Sequence, residues 1–301
     1  MSRAFLSAIV VSALAASGAA SGQFLMMPDS TNNRMVLFNP FDGSVVNSNY
    51  FALQGGTPIH AMQVGGEIWV SEQIGDRVVR FDLTGNQVGV IGGGPTGGLD
   101  NIRGMGLINN TVYVTNGGAA NGSPGASSVV TFDTLANPTG NFITTGLSPS
   151  PFGILAHQGG LLVSSSSAND DIHRFSLAGA SLGTFHNSGT LNFAEQMNYA
   201  ANGDILVAGF SSNNVVILDA NTGGVISSFA ASGARGVYQL GNGNIMWTSS
   251  AGATIFNPLT GGSSLVYSGG GRYLDFVNIP TPSAASLLAL AGLASTRRRR
   301  A

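Results

Sequence analysis

Short apolar strings recur along this chain at near-regular intervals: "EIWVSE", "TVYVTN", "LLVSSS", "DILVAG" and "NIMWTS". Their centres, Trp69, Tyr113, Leu162, Leu206 and Met246, lie 44, 49, 44 and 40 residues apart. "QFLMMPD", around Leu25, is a sixth copy. Each copy is followed by a second apolar string, such as "RMVLFNP", "RVVRFDL", "SVVTFDT" or "NVVILDA", then a Gly-containing turn and a weaker outer string such as "TGGVISSFA". Each is preceded by another, beginning near His60, Arg103, Phe152, Glu195, Arg235 and Arg272. Val, Ile, Leu and Phe on both alternating faces suit strands covered on both sides. A period of about 40–50 residues carrying several strands predicts the blades of a β-propeller. The first copy lacks the leading strand and the last, "RYLDFV" from Arg272, lacks what should follow it. One arrangement accounts for both gaps: the C-terminal strand completes the N-terminal blade and closes a ring of six, which removes exposed sheet edges. The expected fold is an all-β, six-bladed propeller over residues 23–279, about 43 residues per blade.

Composition sharpens this picture. The 301 residues include 44 Gly and only 9% charged side chains, a turn-rich β composition rather than a helical one. The formal charge of −2 hides an asymmetry, because Arg3 and Arg297, Arg298, Arg299 and Arg300 sit at the ends. Between them 7 Arg face 14 acids, which argues against a basic nucleic-acid surface. With no cysteine there is no disulfide, thiolate metal site or Cys nucleophile.

The two ends read as addresses. Residues 1–22 combine a basic start at Arg3, an apolar run from Ala4 to about Ala16 and small residues up to Gly22, the layout of a signal peptide for signal peptidase. From Ala284 to Thr296 the chain is apolar for 13 residues, about 20 Å as a helix, short of a bilayer core of about 30 Å. The arginines behind it would stay on the cytoplasmic side, making a transient membrane contact. Residues 280–301 resemble the PEP-CTERM sorting signal of exported bacterial proteins, with Pro280-Thr281-Pro282-Ser283 where that family has Pro-Glu-Pro, then the apolar segment and the Arg cluster. The resemblance implies an exosortase-type enzyme as partner and a destination in the cell envelope or outside the cell.

The body resembles NHL and YVTN-type propeller repeats, through "P-x-G-I … L-L-V-S-S … D-I-x-R-F" from Pro151 to Phe175 and "VYVTN" from Val112 to Asn116. That implies a fold rather than an activity. In such propellers the leading strands line the central channel, so His60, Arg103, Phe152, Glu195, Arg235 and Arg272 are expected in one register near one mouth. Arginine forks there suit an anionic or polyhydroxyl ligand; the same side chains equally suit ties between blades, Glu195 with an Arg. The loops between second and third strands, rich in Asp, Asn and Ser, are expected to bond their own backbone. Asp170-Asp171 is the one paired acid, a candidate for Ca²⁺. Four scattered histidines, His60, His157, His173 and His186, show no metal-ligand spacing. The glycine strings Ile91–Gly98 and Ser268–Arg272 read as interblade turns, since no Gly-Lys-Ser/Thr follows either. The expected function is an exported binding or interaction scaffold without a cofactor, engaging matrix or envelope components. The alternative is a divalent-metal-dependent hydrolase or lyase. Resemblance to propeller lactonases would give the channel roles to Glu195, Asn198 and Asp275; resemblance to streptogramin lyases would make His60 or His157 a base.

Overall fold

The structure, a computed structural model, describes residues 21–166 and 171–280. Within them are 24 strands in six four-stranded antiparallel sheets, and no helix. Five blades follow chain order from the inside outwards. They are β4–β7 (Pro58–Val64, Glu67–Glu72, Arg77–Asp82, Gln87–Gly92), β8–β11 (Ile102–Ile108, Thr111–Asn116, Ser128–Asp133, Pro138–Ile143), β12–β15 (Pro151–His157, Gly160–Ser165, Ile172–Ser176, Ser181–His186), β16–β19 (Ala194–Tyr199, Ile205–Gly209, Asn214–Leu218, Val225–Ala230) and β20–β23 (Gly236–Gln239, Ile245–Ser249, Gly252–Phe256, Ser263–Ser268). The sixth is composite: β24 (Asp275–Pro280) lies inside β1 (Ser21–Asp29), β2 (Arg34–Phe38) and β3 (Val45–Asn47). The six-bladed fold with its N-terminal blade completed from the C-terminus is therefore present as expected.

Residues Gln23–Val277 form one compact unit. Pro280 ends β24, whereas the signal segment up to residue 20 and Pro282, Arg297, Arg298, Arg299 and Arg300 lie outside the described residues.

Burial follows strand position. The second strands are apolar on both faces, and β5, β9, β13, β17 and β21 are buried almost throughout. The outermost strands expose most of their residues, as in β3, β11 and β19. A sheet buried on both faces must be covered by its neighbours, and the core accordingly lies between blades rather than inside any one. Met62, Trp69 and Val78 pack with Ile102, Met105 and Val112. Tyr113 and Val129 meet Ile154 and Phe175, and Leu162 and Ile172 meet Met197 and Val207. Leu206 and Val215 meet Val237 and Trp247, while Met246 and Tyr267 meet Leu25, Val36 and Phe38 of the composite blade. Phe51 closes the circuit onto Phe81, ring centroids 5.0 Å apart. This apolar contact is the main force holding neighbouring blades together.

Candidate functional site

The inner strands β4, β8, β12 and β16 carry a one-residue bulge near their start. Pairing steps from Pro58↔Glu72 to His60↔Ser71, from Ile102↔Asn116 to Met105↔Val114, and from Pro151↔Ser165 to Ile154↔Val163. Aligned on that bulge, and in the other two blades on the pairings Gly236↔Thr248 and Asp29↔Gly271, the residues in one register are Ile59, Arg103, Phe152, Glu195, Arg235 and Arg272. His60 belongs one position further on, with Gly104, Gly153, Gln196, Gly236 and Tyr273. The expected ring is thus corrected at one member: Arg103 lies 10 residues before Tyr113 and Phe152 10 before Leu162, but His60 only 9 before Trp69, so Ile59 takes the ring position. Arg235 and Arg272 also precede their strands, which start at Gly236 and Asp275.

Every carbonyl of the first register accepts a hydrogen bond from the preceding blade. Ser71 Oγ donates to Arg103 O (2.5 Å), Thr115 Oγ1 to Phe152 O (2.9 Å), Ser164 Oγ to Glu195 O (2.7 Å) and Thr248 Oγ1 to Arg272 O (2.6 Å). Where the corresponding second-strand residue has no hydroxyl, as at Ala208, a backbone N–H substitutes: Gln196 N donates to Arg235 O (3.1 Å) and Tyr273 N to Ile59 O (3.1 Å). These links were missed from the sequence, although the hydroxyl after the central apolar pair ("VSE", "VTN", "VSS", "WTS") was a visible signal. They draw the inner strands so close that a Cβ on Gly104 would stand 2.2 Å from Phe152 O, and one on Gly153 2.3 Å from Glu195 O.

The charged layer of the first register is largely spent on itself. Glu195 is fully buried, and its Oε1 accepts from Arg235 Nη1 at 3.0 Å. Burial pushes its carboxyl up to about 7, against the opposing pull of Arg235, Arg272 and Arg103. Arg103 donates to Ser150 Oγ (2.8 Å) and Pro151 O (3.1 Å) and lies over the Phe152 ring at 3.9 Å; burial lowers it to about 10. Arg235 lies 4.4 Å over Phe210, in a row where Phe193 contacts both Phe152 and Phe210. Arg272 donates to Ser30 Oγ (2.8 Å), and burial also lowers it to about 10. Tyr273 is raised well above its usual value, burial being the largest cause and the Glu195 charge adding to it.

The second register opens onto a cavity of about 310 Å³, lined by inner-strand residues of five blades. His60, Asn198, Tyr273 and Asp275 line it together with Met62, Met105 and Met197; Glu195 does not. His60 Nδ1 accepts the Met105 N–H at 2.9 Å, so the ring of a neutral His60 carries its proton on Nε2, 3.3 Å from Asp275 Oδ2. A nitrogen that already bears a proton cannot act as a base, so the streptogramin-lyase-like role for His60 does not follow from this geometry. His157 stands outside the cavity, with Nδ1 2.7 Å from the Tyr199 hydroxyl. Glu195, Asn198 and Asp275 therefore do not share one cavity, and among the described residues no three His, Asp or Glu side chains group as metal ligands. Asp170 lies outside the described residues; Asp171 is buried, with Oδ2 accepting the Ser188 N–H at 2.9 Å. Of the expected turn loops, that at Asp29 bonds its own backbone, Oδ1 accepting from Thr31 N and Asn32 N (3.0 Å each), whereas Asp76 reaches the next blade and accepts from Asn101 N at 2.7 Å.

No protein-family profile matches the chain, and no curated protein matches it. Its likeness is to solved structures. A protein of unknown function from Bacteroides caccae superposes with a TM-score of 0.62 at 15% identity, covering 86% of this chain and 99% of that one. A chain of a nidogen/laminin complex gives 0.69 at 12% identity, with 85% and 98% covered. A streptogramin B lyase gives 0.52 at 12% identity, with 87% and 75% covered. At these identities the likeness is one of fold, a framework that hosts unrelated functions.

Proposed function

We propose that this chain is an exported bacterial β-propeller of NHL/YVTN-like repeats that serves as a binding and interaction scaffold in the cell envelope or outside the cell. Signal peptidase removes residues 1–22, and an exosortase-type enzyme reads residues 280–301. The observation that carries the scaffold role is Glu195. The acid best placed in the inner ring is fully buried and committed to Arg235, so it ties blades four and five instead of facing a reactant. The ligands of such a scaffold are matrix or envelope components, and no cofactor is needed. A fold neighbour taken from a nidogen/laminin complex is in keeping with a role in protein assembly. Mass spectrometry of the mature protein from its native host tests the routing: termini near residues 20–23 and 280–285 are expected, and an intact full-length chain overturns it.

The second reading, a divalent-metal-dependent hydrolase or lyase, is favoured by Asn198 and Asp275, which line the same cavity. It would use Asp275 rather than His60 or Glu195 as its ionised group. Metal analysis of the purified mature protein separates the two. A bound divalent ion that Asp275→Ala releases would favour the enzyme.

A further inference from the structure

The donor and acceptor atoms of the channel cavity select a ligand class. His60 is 6% exposed and its Nε2 has no hydrogen-bond acceptor; the Asp275 carboxylate stands 3.3 Å away without the alignment of a hydrogen bond. With Nδ1 held by the Met105 N–H, Nε2 offers a proton. Asp275 Oδ1 accepts the Phe276 N–H, so Oδ2 is the acceptor that faces His60. A group in hydrogen-bond contact with both must accept from a nitrogen and donate to a carboxylate at once. An ammonium only donates and would oppose the His60 proton. A carboxylate only accepts and would oppose Asp275. A hydroxyl does both.

A second acceptor lines the same cavity. Asn198 spends an amide N–H on Val237 O at 3.0 Å, which orients the amide and leaves Oδ1 as its acceptor. Gln196, by contrast, has its acceptor used: Oε1 accepts from Val237 N and Leu274 N, while Nε2 donates one of its two protons to Leu274 O. The remaining wall is apolar, with Met62, Met105, Ile154 and Met197 supplying surface for C–H faces. A water molecule satisfies the His60–Asp275 pair, but it uses neither Asn198 nor the apolar wall.

From this juxtaposition we infer that the channel cavity binds a neutral polyhydroxyl ligand of sugar type, one hydroxyl bridging His60 Nε2 and Asp275 Oδ2 and another donating to Asn198 Oδ1. This names the ligand class of the scaffold proposed above and rests on the channel being a binding site. It moves the ligand from the arginine layer, where the guanidiniums are already engaged, to the second register.

The test uses the purified mature chain and saturation-transfer NMR. The probes are methyl glycosides of glucose, galactose and mannose, with cyclohexanol, hexanoate and hexylammonium as controls. At least one glycoside should bind with a dissociation constant near about 1 mM, a weak-ligand affinity. Asp275→Ala should weaken it about tenfold, the scale of one hydrogen bond to a charged group. Because Asp275 lies in the closing strand, Leu107→Trp is the second variant: Leu107 lines the cavity and is 38% exposed, so a larger ring there blocks the space without entering the core. It should abolish glycoside binding. Preference for an ionic probe or cyclohexanol, with that probe sensitive to Leu107→Trp, overturns the polyhydroxyl assignment and leaves the channel as a binding site. Indifference of every probe to Leu107→Trp overturns both.

Discussion

A single buried carboxyl sets a pH dependence for this fold. Glu195 is held near 7 in the native state, against a usual value of 4.5 that the unfolded chain retains. A raised acid favours the folded state fully below about pH 4.5, and that stability is lost as pH rises through about 7, some 3 kcal/mol in all. Urea unfolding measured from pH 4.5 to 8 should show this slope. Glu195→Gln, which keeps an acceptor for Arg235, should flatten it; an unchanged slope would place the titrating group elsewhere. Ser164 carries a different burden. Its Oγ accepts the Gly153 N–H and donates to Glu195 O, both at 2.7 Å, so Ser164→Ala strands two buried backbone groups. The expected cost is about 2 kcal/mol, read as a lowered thermal midpoint. Gly153→Ala should cost about as much or more, because its Cβ has no space against Glu195 O. At Gly66 a Cβ meets nothing within 4 Å, so Gly66→Ala should stay within about 0.5 kcal/mol of wild type.

Among the elements, β24 has the largest consequence for its size. It fills the inner position of the composite blade, and the residues just before it bind elsewhere in the ring through Gly271 N to Ser249 O, Tyr273 N to Ile59 O and Leu274 to Gln196. A chain ending at Leu274 loses the strand and leaves β1 with an open edge. Ending at Pro280 keeps all 24 strands of the described residues. Size-exclusion chromatography and thermal unfolding should therefore show a cooperative species for the Pro280 truncation and aggregation for the Leu274 truncation. A cooperatively folded Leu274 truncation would mean that five complete blades suffice. The bulge near the start of β4, β8, β12 and β16 is the other element with wide effect, since it decides which side chains enter the arginine layer and which the cavity.

For the whole molecule, the six interblade links and the interblade apolar clusters make a circuit without ends. Each blade buries its faces only against two neighbours, so the ring is expected to unfold as one unit. Routing is a separate proposal, which rests on residues 1–22 and 280–301. Replacing Arg297, Arg298, Arg299 and Arg300 with Ser should leave the thermal midpoint unchanged while altering tail processing and envelope retention in the native host. Immunoblotting of cell fractions checks this, and identical processing of variant and wild type would remove the sorting proposal.

The sequence by itself determined the architecture, because each blade repeats the same apolar spacing and that spacing has one economical solution: the strand missing at Phe24 is the strand left over after Arg272. It determined equally the buried second strands, whose two-faced apolar pattern is a local property. The tertiary structure decided the site. Which of two neighbouring side chains, such as Arg103 and Gly104, enters the cavity layer is fixed by a bulge in β4, β8, β12 and β16, and no residue type marks that bulge in all four. Whether Glu195 is a reactant or a tie depends on Arg235, 40 residues away, reaching its carboxylate across a blade boundary. The cavity of His60, Asn198 and Asp275 exists only once the ring brings together residues far apart in the chain, which spacing along one strand does not report.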